Sequence, residues 1–214
     1  MLKLWGRATS FNVQKAMWTL AELGVDYERI DVGGRFGGLD TSEFGAMNPN
    51  RRVPVLDHDG VIIWESHSIV RYLAATFGRG TLWADDPAER SLADRWTDWT
   101  ATTLQPAFMD IFWGYYRTPE AKRDWTVIQR GIDGCARLYG LLDRHLSQRP
   151  FVAGNHLTIG DIPVGTSLYR YFELDLERPK LPNVEAYYAR LQDRSAYRAG
   201  VMIPFDELKG HTDY

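Results

Sequence analysis

A chain of 214 residues, 44% hydrophobic and 25% charged, has room for one large domain or two small ones, and it can bury a core without covalent staples. Its net charge is −3, with Lys and Arg scattered among Asp and Glu. That leaves no basic block for nucleic acid, and no apolar run reaches the roughly 18 residues of a membrane span. The one cysteine, Cys135, excludes an intramolecular disulfide framework. No Cys/His group has zinc spacing and no signal peptide is readable, so the expectation is a cytoplasmic protein without a metal, nucleic-acid or membrane partner.

The alternating run Leu2–Gly6 predicts a strand, and Arg7-Ala8-Thr9-Ser10 supplies turn and cap residues. Val13, Ala16, Met17, Leu20 and Leu23 recur at helical spacing, with Gly24 as the C-terminal stop. Tyr27–Val32 returns as a strand parallel to the first. Gly33–Gly38 is a flexible loop without the spacing of a dinucleotide fingerprint, and a short helical turn covers Ser42–Met47. Two apolar runs, Val55–His58 and Val61–Trp64, flank Asp59-Gly60, the signal for a two-residue hairpin. Ser66 then caps a helix whose apolar face is Ile69, Val70, Leu73 and Phe77.

Gly78–Pro87 reads as a linker, and everything beyond it as helix. A long aromatic helix runs from Ala88 to about Tyr116, with Pro106 as a kink or break. Thr118-Pro119 opens the next helix, with buried stripe Ile128, Ile132, Cys135, Tyr139, Leu142 and Leu146. Thr158-Ile159-Gly160-Asp161 caps another helix, and Asn183–Arg194 is the last. The predicted organisation is therefore a β-α-β, hairpin, α domain over 1–79, a linker over 80–87, and an all-helical domain over 88–214.

Four motifs in this order carry a family resemblance over nearly the whole chain. They are Thr9-Ser10-Phe11-Asn12-Val13-Gln14-Lys15, Asn48-Pro49-Asn50-Arg51-Arg52-Val53-Pro54-Val55-Leu56, Trp64-Glu65-Ser66-His67-Ser68-Ile69 and Leu157-Thr158-Ile159-Gly160-Asp161-Ile162. The chain resembles the cytosolic glutathione S-transferases, in particular bacterial serine-type members of theta- or nu-like character. The resemblance implies an α+β thioredoxin-like domain that binds glutathione as co-substrate. An all-α helical bundle follows, with a pocket for a small apolar electrophile, and the protein is a homodimer.

A free thiol titrates at about 8.5, and the thiolate is the nucleophile. A hydroxyl donating to sulfur favours the anion by roughly 1.5–3 kcal/mol in a dry site, and a helix N-terminus adds about 0.3–1 kcal/mol. With about 1.36 kcal/mol per pKa unit, the two lower a thiol by roughly one to three units. Ser10 at the start of the first helix is either such a donor or a plain helix cap. The resemblance implies the donor, with Thr9 and Asn12 as the alternatives; in some bacterial relatives an Asn at the spacing of Asn12 contacts the sulfur.

The resemblance also implies a cis Val53-Pro54 bond, with the Val53 backbone pairing the cysteinyl part of glutathione as an added strand does. Glu65 and Ser66 offer a carboxylate for an ammonium and a helix N-terminus for a carboxylate, the two groups of a γ-glutamyl end, or else form an ordinary cap. Arg52, with Arg51 beside it and Arg35 as a further alternative, is the candidate for the glycine carboxylate. Thr158 and Asp161 match the family's capping box, where their work is folding. Phe108, Phe112 and Trp113, with Tyr115 and Tyr116, predict an open aromatic pocket for the second substrate. His67, His145 and His156 read as surface residues, and Cys135 as buried and inert.

Three functions fit this pattern. The first is thiolate attack on an apolar electrophile. The second is glutathione-dependent reduction of peroxides or disulfides on the same fold. The third is a binding module without turnover.

Overall fold

The computed structural model describes residues 1–212. The chain forms two compact units, Met1–Trp83 together with Ser195–Pro204, and Ala84–Arg194 together with Phe205–Thr212.

In the first unit, β1 (Leu2–Trp5) buries Leu2 and Leu4 and leaves Lys3 and Trp5 half-buried, the alternation the sequence carries. Helix α1 (Phe11–Leu23) ends at Gly24, whose left-handed backbone (φ 63°, ψ 32°) lets its N–H donate back to Leu20 and Ala21. Strand β2 is shorter than its apolar run, Glu28–Ile30, and pairs in parallel with β1. Helix α2 (Ser42–Met47) is capped by Thr41, whose hydroxyl accepts from the Phe44 N–H at 3.2 Å. The hairpin of β3 (Val55–His58) and β4 (Val61–Trp64) turns at Asp59-Gly60, both at positive φ as a type I′ turn requires. The sheet order is β2-β1-β3-β4, with β1–β3 and β3–β4 antiparallel. Helix α3 (Ser66–Phe77) buries Ile69, Val70 and Leu73, whereas Phe77 is 41% exposed. Leu2, Leu4, Val13, Met17, Leu56 and Ile69 meet in the core between sheet and helices.

The second unit begins with α4 (Pro87–Trp99), capped by Asp86, which accepts from the N–H groups of Ala88 and Glu89. Pro106 does not break the helical path. A π-helical turn over Thr100–Leu104 leads into α5 (Gln105–Ile111), and a second such turn covers Phe112–Arg117. The wider turn ahead of Pro106 relieves the clash of its ring with the carbonyl four residues back.

Thr118-Pro119 does not open the next helix either. A 3₁₀ turn (Glu120–Lys122) intervenes, and α6 (Trp125–Leu146) starts under Asp124, whose carboxylate caps Thr126 and Val127 at 2.9 and 3.3 Å. On α6, Ile128, Cys135, Tyr139, Leu142 and Leu146 are buried and Ile132 half-buried. Burial pushes the Cys135 thiol up to about 12. Helices α7 (Asp161–Glu173) and α8 (Pro182–Gln192) complete the unit. Asp161 is fully buried, and its carboxylate accepts from the backbone N–H groups of Val152 and Thr158 and from the hydroxyls of Thr158 and Tyr187, at 2.8–3.0 Å. It therefore satisfies donors outside α7 rather than the orphan donors of the helix itself.

The chain then returns to the first unit as α9 (Ser195–Gly200), beyond the last helix that the apolar periodicity marks. Tyr197 is fully buried with its ring edge-on to Trp18, centroids 4.7 Å apart. A Cβ on Gly200 would lie 2.6 Å from Trp18 Cα and 2.7 Å from Trp18 N, backbone atoms that cannot step aside. Gly200→Ala is therefore expected to destabilise the protein by about 1–3 kcal/mol through overpacking. The loss appears as a lower denaturant midpoint at unchanged slope; an unchanged midpoint would mean that α9 lifts off α1 at no cost.

Candidate functional site

The predicted glutathione-site residues gather at one end of the first unit, at the β1–α1 turn, the loop into β3, and the start of α3. Ser10 occupies the N-cap position of α1 with extended backbone (φ −81°, ψ 123°) and is 9% exposed. Its carbonyl accepts the Gln14 N–H at 3.0 Å, but its hydroxyl makes no capping hydrogen bond. Thr9 and Asn12 are half-buried on either side.

Gly6, at φ 149°, has space for no side chain, because a Cβ there would collide with Val13 and come within 3.2 Å of Val53. This close approach sets the Val53-Pro54 turn beside the start of α1. The Val53-Pro54 peptide bond is cis. Arg51 and Arg52 part company here. The Arg51 guanidinium donates to the carbonyls of Leu39 and Thr41 at 2.8 and 2.9 Å, pinning the loop. Arg52 stays exposed and uses its backbone carbonyl to accept from Asn48 Nδ2 at 2.8 Å.

Ser66 is not the cap of α3. Glu65 holds the N-cap position and Ser66, buried, is the first helical residue. Glu65 ends β4 in the left-handed region (φ 69°, ψ 118°) and makes no side-chain cap bond. A non-glycine residue there costs about 1–3 kcal/mol, and such strain concentrates at ligand clamps and active sites.

The same region contains a cluster that the sequence does not announce. Lys15, on α1, is fully buried. Its Nζ lies 3.0 Å from Asn12 Oδ1, 2.9 Å from His67 Nε2, and 4.8 Å from the centre of the Phe11 ring. Burial brings its pKa from 10.5 down to about 7, against the opposing pull of the Glu65 carboxylate. His67 is not the surface residue that its sequence context suggests. Burial, then the charges of Lys15 and Arg71, hold its pKa down at about 2, so the imidazole is neutral; in the tautomer protonated at Nδ1 its Nε2 accepts from Lys15. No periodicity could reveal the pair, because Lys15 lies off the apolar stripe of α1 and is covered all the same. His145 is also half-buried, with Nε2 2.8 Å from the Val152 carbonyl oxygen, whereas His156 is exposed.

The aromatic residues of the second unit divide. Phe108 and Phe112 are core residues, 0% and 3% exposed. Phe112 stacks on Phe108, packs against Phe205, and lies under the Arg170 guanidinium. Buried in this way, the two rings are part of the core and not of an open pocket wall. Trp113 remains half-exposed, with Arg117 over its ring at 4.1 Å. Among the described residues, no cluster of three or more His, Cys, Asp or Glu side chains is placed to hold a metal ion, and no helix is long and apolar enough to cross a membrane.

Family models of the glutathione S-transferase N-terminal and C-terminal domains match residues 1–75 and 104–194. The chain is 42% identical over 206 residues to glutathione S-transferase GstB of Escherichia coli K12, covering 95% of this chain and 99% of that protein. Its structure superposes with TM-score 0.92 on the theta class glutathione S-transferase of Xanthomonas axonopodis pv. citri solved with glutathione bound, at 46% identity, covering 95% of this chain and 98% of that one. Similarity extends at 29% identity, over 68% of this chain and 43% of the relative, to the transcriptional regulator URE2 of Saccharomyces cerevisiae. With both domains matched in order and the relationship running along nearly its whole length, the chain belongs to the glutathione S-transferase family.

Proposed function

We propose that this glutathione S-transferase converts the thiol of bound glutathione to thiolate and delivers it to a small apolar electrophile. The observation that carries the reading is the Ser10 hydroxyl. It sits at the N-terminus of α1, nearly buried, and is not used to cap the helix. There it can donate to a sulfur in the field of the helix N-terminus, the combination that favours a thiolate.

Asn12 supports it as a second donor. The Val53 backbone beside Pro54 aligns the cysteinyl unit. Glu65 and Ser66 take the ammonium and carboxylate of the γ-glutamyl end, and Arg52, whose guanidinium is not tied into the loop as that of Arg51 is, takes the glycine carboxylate. Residues 1–79 bind glutathione and 88–214 supply the second-substrate pocket, to which Trp113 contributes. The protein acts as a homodimer in the cytoplasm. Val61, Ile62 and Trp64 of edge strand β4 are exposed and supply apolar surface for such pairing.

Titrating the ultraviolet absorbance of the glutathione thiolate against pH, with and without stoichiometric protein, tests the reading without any choice of electrophile. The expected result is an apparent thiol pKa at least about one unit below that of free glutathione. Binding without a shift would favour a carrier or a reaction that does not use bound thiolate. No binding at millimolar glutathione would overturn the reading.

A further inference from the structure

Lys15 is a fully buried ammonium-bearing side chain, a costly group to take out of water. Lys15 lies outside the apolar cluster that Val13, Met17 and Leu20 form with the sheet. Its polar end reaches two places that matter. It donates to Asn12 Oδ1 on its own helix, and across to His67 Nε2 on α3, one residue beyond Ser66 and two beyond Glu65.

We propose that Lys15 is a positioning residue for thiol activation: it fixes the Asn12 carboxamide so that the NH₂ end is the one offered to sulfur, and it ties this group to the helix that carries Glu65 and Ser66. The inference rests on the role given to Asn12 above.

The chemistry is specific. A primary carboxamide has an acceptor end and a donor end of nearly equal size, and only the donor end stabilises a thiolate. A lysine Nζ supplies N–H donors and so selects Oδ1 as the end that faces it. Both the ammonium and the neutral amine carry N–H groups, so the selection persists as Lys15 titrates. His67 strengthens the device. Its Nε2 lies 2.9 Å from Nζ, and as the acceptor of the Nδ1-protonated tautomer it keeps Nζ between the two helices. The Glu65 carboxylate is the acidic group that acts on Lys15 from the start of α3.

The test is a double-mutant cycle read by the thiol pKa of bound glutathione. Lys15→Met keeps the length of the side chain and removes the donor. It is expected to raise the bound-thiol pKa by roughly half a unit to one unit and to lower kcat at neutral pH about three- to tenfold, with a smaller change in KM for glutathione. In an Asn12→Ala background the same substitution is expected to add nothing. Lys15→Gln, which retains an NH₂ donor, is expected to recover part of the shift, and it carries the test if the methionine variant does not fold. A folded Lys15→Met protein with the wild-type thiol pKa would overturn the inference. So would a shift that persists undiminished without Asn12, since Lys15 would then act by its charge alone. If Asn12→Ala leaves the bound thiol unchanged, the role of Asn12 falls and this inference with it, while the wild-type titration still decides the function by itself.

Discussion

Ser10→Ala is expected to lower turnover with an electrophilic substrate by one to several orders of magnitude while leaving stability within about 0.5 kcal/mol of wild type. The two halves of this expectation come from one observation. An N-cap serine that accepts from the first turn of its helix contributes about 1 kcal/mol, and its loss would show in unfolding. Ser10 makes no such bond, so removing its hydroxyl takes nothing from α1. What is lost is a donor to sulfur, and each tenfold in rate corresponds to about 1.36 kcal/mol at the transition state. Measuring kcat/KM beside the thermal midpoint separates the two. Unchanged turnover would make Thr9 or Asn12 the activating group, and a loss of activity that tracks a loss of stability would return Ser10 to the part of a cap.

Asp161→Ala is expected to cost about 3–5 kcal/mol of stability, the largest effect of any single substitution considered. The carboxylate is the common acceptor for Val152 N–H, Thr158 N–H and hydroxyl, and the Tyr187 hydroxyl, and it joins the loop before α7 to α8. Truncation leaves these donors buried without an acceptor, at about 1–3 kcal/mol each. The sum is partly offset because burial, which pushes the Asp161 carboxyl above its usual range, makes the wild-type group costly too. Urea unfolding followed by tryptophan fluorescence reads the change. A loss below about 1 kcal/mol would mean that water or rearranged neighbours take over the acceptor's place.

Much of the fold was legible because its signals are local. Asp59-Gly60 specifies its turn through the two residues that occupy it, and Gly24 stops α1 through its own backbone. The motifs carry Ser10, Asn12, Val53-Pro54 and Glu65-Ser66; in the structure Val53 packs against Gly6 just ahead of α1, and Lys15 of α1 reaches His67 beside Ser66. The differences have two causes, packing by a distant segment and local backbone competition that residue spacing does not encode. The burial of Lys15 follows from the arrival of α3 with His67, fifty-two residues later. The start of α6 was misplaced because Asp124 out-competes Pro119 as a boundary, its carboxylate satisfying two orphan N–H groups. The resemblance and the crowded aromatic run assign Phe108 and Phe112 to a pocket, whereas the structure buries both rings; with π-helical turns on either side, a period of 3.6 does not say which way a ring points. Arg51 and Arg52 are adjacent and identical in type; the resemblance singles out Arg52, and in the structure the carbonyls of Leu39 and Thr41 hold Arg51 and leave Arg52 exposed.

The return of α9 to the first unit has a consequence for biosynthesis. Trp83 and Ser195 are separated by the whole of α4–α8, so the N-terminal unit is a discontinuous piece of chain. At about 5–20 residues per second, a ribosome takes roughly 6–23 s to travel from Trp83 to the end of α9. Throughout that interval the nascent unit has its sheet and α1–α3 but not Tyr197 to close over Trp18. Until α9 has been synthesised, the surface of Trp18 that Tyr197 covers in the native unit has no such cover, so the first unit cannot complete its packing before residue 200 has been added.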